Sequence, residues 1–140
     1  MYCFIFGHAD AYNISVVELE SKILKIAQEN TDIEFLVGNN GSFDKCTQSV
    51  LERLCQAGKV NYTIVLSRID ELPLNGCFIR GIFPDELATA LPKYAISKRN
   101  DWIIKRSDLA LCYVSQIASN SFKMLTKLQR KGVEIINLAD

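Results

Sequence analysis

Tyr2-Cys-Phe-Ile-Phe6, stopped by Gly7 and His8, is the stretch that decides the fold. An unbroken apolar run of this length cannot alternate between core and solvent, so a strand built from it is buried on both faces. Such strands belong to parallel sheets covered by helices on each side. Four later stretches read as strands too: Glu34-Phe-Leu-Val37, Tyr62-Thr-Ile-Val-Leu66, Leu109-Ala-Leu-Cys-Tyr-Val114 and Val133-Glu-Ile-Ile-Asn-Leu138. Between them apolar residues recur at helical spacing. Ser15 and Glu18 make a capping box ahead of Val16, Leu19, Ile23, Ile26 and Ala27. Phe43 to Ala57 turns Cys46, Val50, Leu51 and Leu54 inward and ends at Gly58. Ser97 is placed to cap a third helix through Arg106, and a fourth runs from Phe122 to Lys131 until Gly132 stops it. Strands alternating with helices imply right-handed crossovers. The sequence therefore predicts an α/β, Rossmann-like three-layer αβα domain. Its sheet is five-stranded and mainly parallel, at 2–6, 34–37, 61–66, 109–114 and 134–138.

One stretch breaks the pattern. From Ser67 to Pro92 the chain carries Pro73, Asn75, Gly76, Gly81, Pro84 and Pro92, with room for a short helix near Asp85 to Ala90. Loops this long in compact domains are often functional. Nothing else suggests a boundary, and 140 residues suit one domain, 1–140. The chain is 49% hydrophobic and 23% charged, so it can build a core without disulfide or metal. Formal net charge is zero, which argues against nucleic acid as the main partner and leaves a small anion open. No apolar stretch is long enough to span a membrane, and Met1 to Phe6 lacks the order of a secretory signal. Cys3, Cys46, Cys55, Cys77 and Cys112 form no C-x-x-C pair, which points to reduced thiols in a cytoplasmic protein. With one histidine and no ligand cluster, no metal site is expected.

In open parallel sheets, ligands bind beyond the carboxyl ends of the strands. Three strand-end loops are polar or glycine-rich: Gly7-His-Ala-Asp10, Gly38-Asn-Asn-Gly-Ser-Phe-Asp44 and Ser115-Gln-Ile-Ala-Ser-Asn-Ser121. The second is the strongest. Gly38 and Gly41 allow close backbone approach to a ligand, Asn39 and Asn40 offer amides, and Ser42 is placed to cap the following helix with Asp44 in its first turn. The amides of that helix start would favour an anion; a plain N-N-G turn is the simpler alternative. His8 has the chemistry to donate to a phosphate or act as acid or base, or to bond nearby backbone. Arg99 offers a planar fork for phosphate, with Asn100 and Asp101 beside it, unless that helix face is merely solvated. No G-x-S-x-G elbow, G-x-G-x-x-G fingerprint or Walker loop is present.

Taken in order, Phe4-Ile-Phe-Gly-His8, Phe35-Leu-Val-Gly-Asn39 through Gly41 and Phe43-Asp44, Pro92-Lys-Tyr-Ala-Ile96, Lys98-Arg-Asn-Asp-Trp102, Ser107-Asp108, and Lys131-Gly132 with Ile135-Ile-Asn-Leu138 resemble the SLOG superfamily. That family takes its name from the Smf/DprA and LOG proteins, and the likeness is to its small single-domain bacterial branch. The resemblance implies a Rossmann-like fold and a site for a nucleotide or nucleotide-derived ligand. Carried over, Gly7 and His8 line the first loop, Gly38, Asn39, Gly41 and Asp44 form the second, and Arg99 and Asn100 flank the pocket. LOG members of the family cleave nucleoside monophosphates. This chain departs from them at Ala9, Asn40 and Ser42, and its Ala118 to Thr126 stretch lacks the family's glycines and glutamate. The expectation is therefore a non-enzymatic, sensor-like domain for a nucleotide-like small molecule, with no cofactor. The alternatives are a LOG-like phosphoribohydrolase and a protein-interaction domain with a decayed pocket. The resemblance also makes a homodimer an expectation.

Overall fold

The computed structural model describes residues 1–8, 15–69, 81–116 and 119–139. The elements run β1 (Tyr2–Gly7), α1 (Val16–Glu29), β2 (Glu34–Val37), α2 (Ser42–Gln56), β3 (Asn61–Val65), β4 (Gly81–Ile82), α3 (Ala95–Arg106), β5 (Leu109–Tyr113), α4 (Asn120–Lys131) and β6 (Glu134–Asn137). All strands pair in parallel, in the order β4-β3-β2-β1-β5-β6. This is the Rossmann-like α/β architecture that the apolar runs predict.

Among the described residues the sheet has six strands rather than five. The extra one, Gly81–Ile82, lies in the stretch read as irregular; it pairs with Ile64 and Val65, and Leu66 N–H donates to Ile82 O. Two residues carry no periodicity, so nothing in the sequence marks them. The short helix expected near Asp85 is a 3₁₀ turn, Asp85–Leu87, and a second such turn spans Pro92–Tyr94. The third helix begins at Ala95, so Ser97 lies inside it and is exposed rather than capping it.

Alternation along each strand divides the core. Cys3, Ile5, Phe35 and Val37 face α1 and α2, meeting Leu19, Ile23, Phe43 and Leu51. Phe4, Phe6, Leu36 and Val65 face α3 and α4, meeting Ile103, Ile104, Leu125 and Leu128. Ser15 caps α1 by accepting from Glu18 N–H, and Ser119 caps α4 by accepting from Phe122 N–H. Gly58 and Gly132 take the left-handed backbone just after α2 and α4, where a β-carbon would be strained.

Lys131 closes another helix from outside. Its ammonium donates to the carbonyls of Ile104, Lys105 and Ser107, at 2.9, 2.8 and 2.7 Å. These carbonyls lie at the end of α3 and its cap, where no further turn follows, and only that of Ile104 also accepts a backbone amide, from Ser107. Cys3 and Cys112 are buried, as expected of strand cysteines, Cys46 and Cys55 are half-buried, and Cys3, Cys46 and Cys55 are free. Cys77 and the expectations placed on Ala9 and Asp10 lie outside the described residues. No helix among the described residues is long and apolar enough to cross a membrane.

Candidate functional site

Leaving β1, the chain builds outward to β2, β3 and β4, then returns to the other side of β1 to lay down β5 and β6. The reversal falls between β1 and β5. Connections leave in opposite directions there, so a crevice opens at the carboxyl ends of those strands. A cavity of about 300 Å³ occupies it, the lower end of the range for small-molecule sites. Gly7 and His8 line it from β1, and Gly38, Asn40 and Asp44 from the loop after β2. Ile96, Arg99 and Asn100 come from α3, and Gln116, Ser119, Asn120, Ser121 and Met124 from the start of α4 and the loop before it. The three loops singled out from sequence thus converge on one cleft.

Arg99 is the central side chain. It is 4% exposed, on the same helical stripe as Ala95 and Ile103. The solvated face considered for it is excluded. Its Nη1 donates to Val65 O at 3.1 Å and its Nε to Asn100 Oδ1 at 2.8 Å. The guanidinium lies flat against Gly38, where an added β-carbon would be 2.5 Å from Nη1. Gly38 is needed because a side chain, not a ligand, approaches its backbone. Gly7 is alike: its missing β-carbon makes room for the Phe43 ring at 2.8 Å.

The loop after β2 differs from its expected form. Gly41, at φ 112°, is the N-cap of α2, and Ser42 is the first helical residue. Asp44 reaches back to accept from Asn40 N–H at 2.9 Å. This helix start therefore already holds its own carboxylate, and Gly41 and Ser42 do not line the cavity. Asn39 does not line it either; its Oδ1 accepts from Gln48, which also donates to Gly38 O. Burial pushes the Asp44 carboxyl above its ordinary value, against the smaller opposing pulls of the Asn40 amide and the Arg99 charge. Asn40 Oδ1 is buried with no hydrogen-bond partner among the described residues, in a residue that lines the cavity. Native proteins leave few such groups unsatisfied.

His8 is buried and its Nε2 accepts from Ser115 N–H at 2.8 Å and Gln116 N–H at 3.2 Å. Two donors on Nε2 place the ring hydrogen on Nδ1. Nε2 is thus an acceptor already in use, and the reading of His8 as a phosphate donor through that atom fails. Its work is to shape the loop after β5. Asn137 holds the same loop from β6: Oδ1 accepts from Val114 N–H and Nδ2 donates to Val114 O.

Most of what the sequence reading left out of the site lies at the start of α4. In the sequence, Gln116 and Ser119 to Ser121 stand out only as part of a polar strand-end loop. The helix has no acidic residue in its first turn, so its amide end favours an anion more than the end of α2 does. Phe4, Phe6, Ile96 and Met124 supply the apolar lining. No cluster of three or more His, Cys, Asp or Glu side chains gathers among the described residues. A scan against protein-family models gives no match, and a search of curated proteins gives none either.

Proposed function

We propose that this chain is a binding domain for a nucleotide-like, anionic small molecule, taken up in the β1/β5 crevice and released unchanged. The observation that carries this reading is Arg99: a buried guanidinium on the wall of a cavity at the topological switch point, facing a helix start with no carboxylate of its own. Guanidinium and helix amides together suit phosphate. The SLOG resemblance points the same way. In this reading Arg99 and the α4 start meet the anion, while Asn40, Asn100 and Ser121 face the remainder of the ligand. Calorimetric titration with the common nucleoside mono- and diphosphates tests it. Binding should weaken roughly ten- to a hundredfold in Arg99→Lys, the loss of one good charged hydrogen bond. Absence of binding by every nucleotide at millimolar concentration overturns it.

A second reading, a hydrolase of nucleoside monophosphates, is favoured by one observation. Asp44 is a carboxyl on the cavity wall whose burial raises its proton affinity, a property useful in an acid. Release of free base above a blank, followed by chromatography and abolished in Asp44→Asn, would select this reading over the first.

A further inference from the structure

The formal charge of zero conceals a strong segregation. Helix α3 carries Lys98, Arg99, Lys105 and Arg106, and α4 carries Lys123, Lys127, Arg130 and Lys131. Half of the sixteen cationic residues in the chain are therefore on these two helices, with Asp101 as their one acid among sixteen. The helices lie side by side on one face of the sheet, tied by the Lys127–Asp101 ion pair at 2.7 Å. Lys98 and Lys105 stand seven residues apart on α3, as do Lys123 and Arg130 on α4. At 1.5 Å per residue, each row is about 10 Å long. All four are exposed, and none is engaged by a carboxylate in the described structure.

Helix dipoles account for only part of this. Cations near helix carboxyl ends are favourable, which covers Lys105, Arg106, Arg130 and Lys131. Lys98 and Lys123 hold the fourth position of α3 and α4, where the dipole favours an acid instead. Both lie among the cavity-lining residues of their helices without lining the cavity themselves, Lys98 between Ile96 and Arg99 and Lys123 between Ser121 and Met124. Within the spans Lys98–Lys105 and Lys123–Arg130 no large hydrophobic side chain is exposed, although Ile96 is exposed two residues before Lys98; protein interfaces are poor in lysine and build on apolar centres.

We infer that the outer face of α3 and α4 binds the phosphate backbone of a nucleic-acid strand, without reading its bases. This face adjoins the crevice at Lys98 and Lys123, but its four cations do not line the crevice and the inference does not depend on what the crevice holds. Fluorescence anisotropy of a labelled single-stranded oligonucleotide, with a duplex of equal length beside it, provides the test. Binding is expected in the nonspecific range, Kd about 10⁻⁴ to 10⁻⁶ M. Four contacts give a slope of log K against log salt near −2.8 on a single strand, or about 50-fold weaker binding from about 50 to 200 mM salt. Lys98→Glu with Lys123→Glu should weaken binding at least tenfold and halve the slope, and Lys105→Glu with Arg130→Glu should do the same. Lys22→Glu with Lys25→Glu, on α1, should leave it unchanged. No binding at low salt overturns the inference, as does equal weakening by the α1 pair. Self-association abolished by the α3/α4 reversals without any oligonucleotide binding would assign the face to copies of this chain and overturn it too.

Discussion

Replacing Gly38 by alanine isolates the contact on which the crevice is built. The backbone there is outside the left-handed region, so alanine is tolerated conformationally and the whole cost falls on Arg99. The new β-carbon would lie 2.5, 2.8 and 2.9 Å from Nη1, Cζ and Nη2. The guanidinium must retreat by about 1 Å to reach ordinary contact. It cannot do so while keeping both its 3.1 Å bond to Val65 O and its 2.8 Å bond to Asn100 Oδ1. Loss of one charged hydrogen bond costs about 1.5–3 kcal/mol, and overpacking alone about 1–3. A destabilisation of about 2–4 kcal/mol follows. With an unfolding entropy of about 2.1 cal/mol/K per residue, 140 residues make that about 7–14 °C in Tm. The assay is a double-mutant cycle by denaturant unfolding with Gly38→Ala, Arg99→Ala and both. Arg99→Ala removes the clashing atoms, so Gly38→Ala should cost little in that background, a coupling of at least about 1.5 kcal/mol. Equal costs in the two backgrounds, or a loss under about 0.5 kcal/mol in the parent, refute the packing argument.

Asp44→Asn should gain stability relative to the parent as pH rises. Burial raises the Asp44 carboxyl above 3.8, so its contribution is full below that value and lost as pH climbs through the raised one; denaturant curves between about pH 4 and 7 check the sign. Lys131→Met should cost about 1–2 kcal/mol, because the Lys105 and Ser107 carbonyls lose the ammonium donor and the Ile104 carbonyl keeps only the Ser107 amide. Hydrogen exchange should localise that loss to the last turn of α3. Among the four described cysteines, thiol labelling of the native protein should reach the half-buried Cys46 and Cys55, and the buried Cys3 and Cys112 only on unfolding.

The sheet was legible because strands buried on both faces announce themselves as unbroken apolar runs, and all five expected strands agree with the structure to within a residue. Helix starts were harder. Ser42 and Ser97 look like caps, yet Gly41 and Tyr94 take those places, because a backbone turn at positive φ and a preceding 3₁₀ turn deliver the chain first. Convergence of His8, Gly38, Asn40, Asp44, Arg99 and Asn100 followed from topology alone. Their roles did not. Whether a glycine faces a ligand or an arginine depends on contacts between residues sixty positions apart. One signal was available: Arg99 lies four residues after Ala95 and four before Ile103, both buried, so helical spacing alone turns it inward.

The central position of β1 also has a consequence for how the chain comes together. Its first partner, β2, is close in sequence, but its second, β5, bonds residues about a hundred positions away, as between Tyr2 and Asp108. During synthesis the first half emerges with one edge of β1 open and Phe4, Phe6, Leu36 and Val65 uncovered. Long-range pairings of this kind close slowly and leave sticky intermediates. The crevice is the seam of that late closure. Its walls do not exist until α3, β5 and α4 have docked, so a molecule held there recognises only the finished chain and slows its reopening.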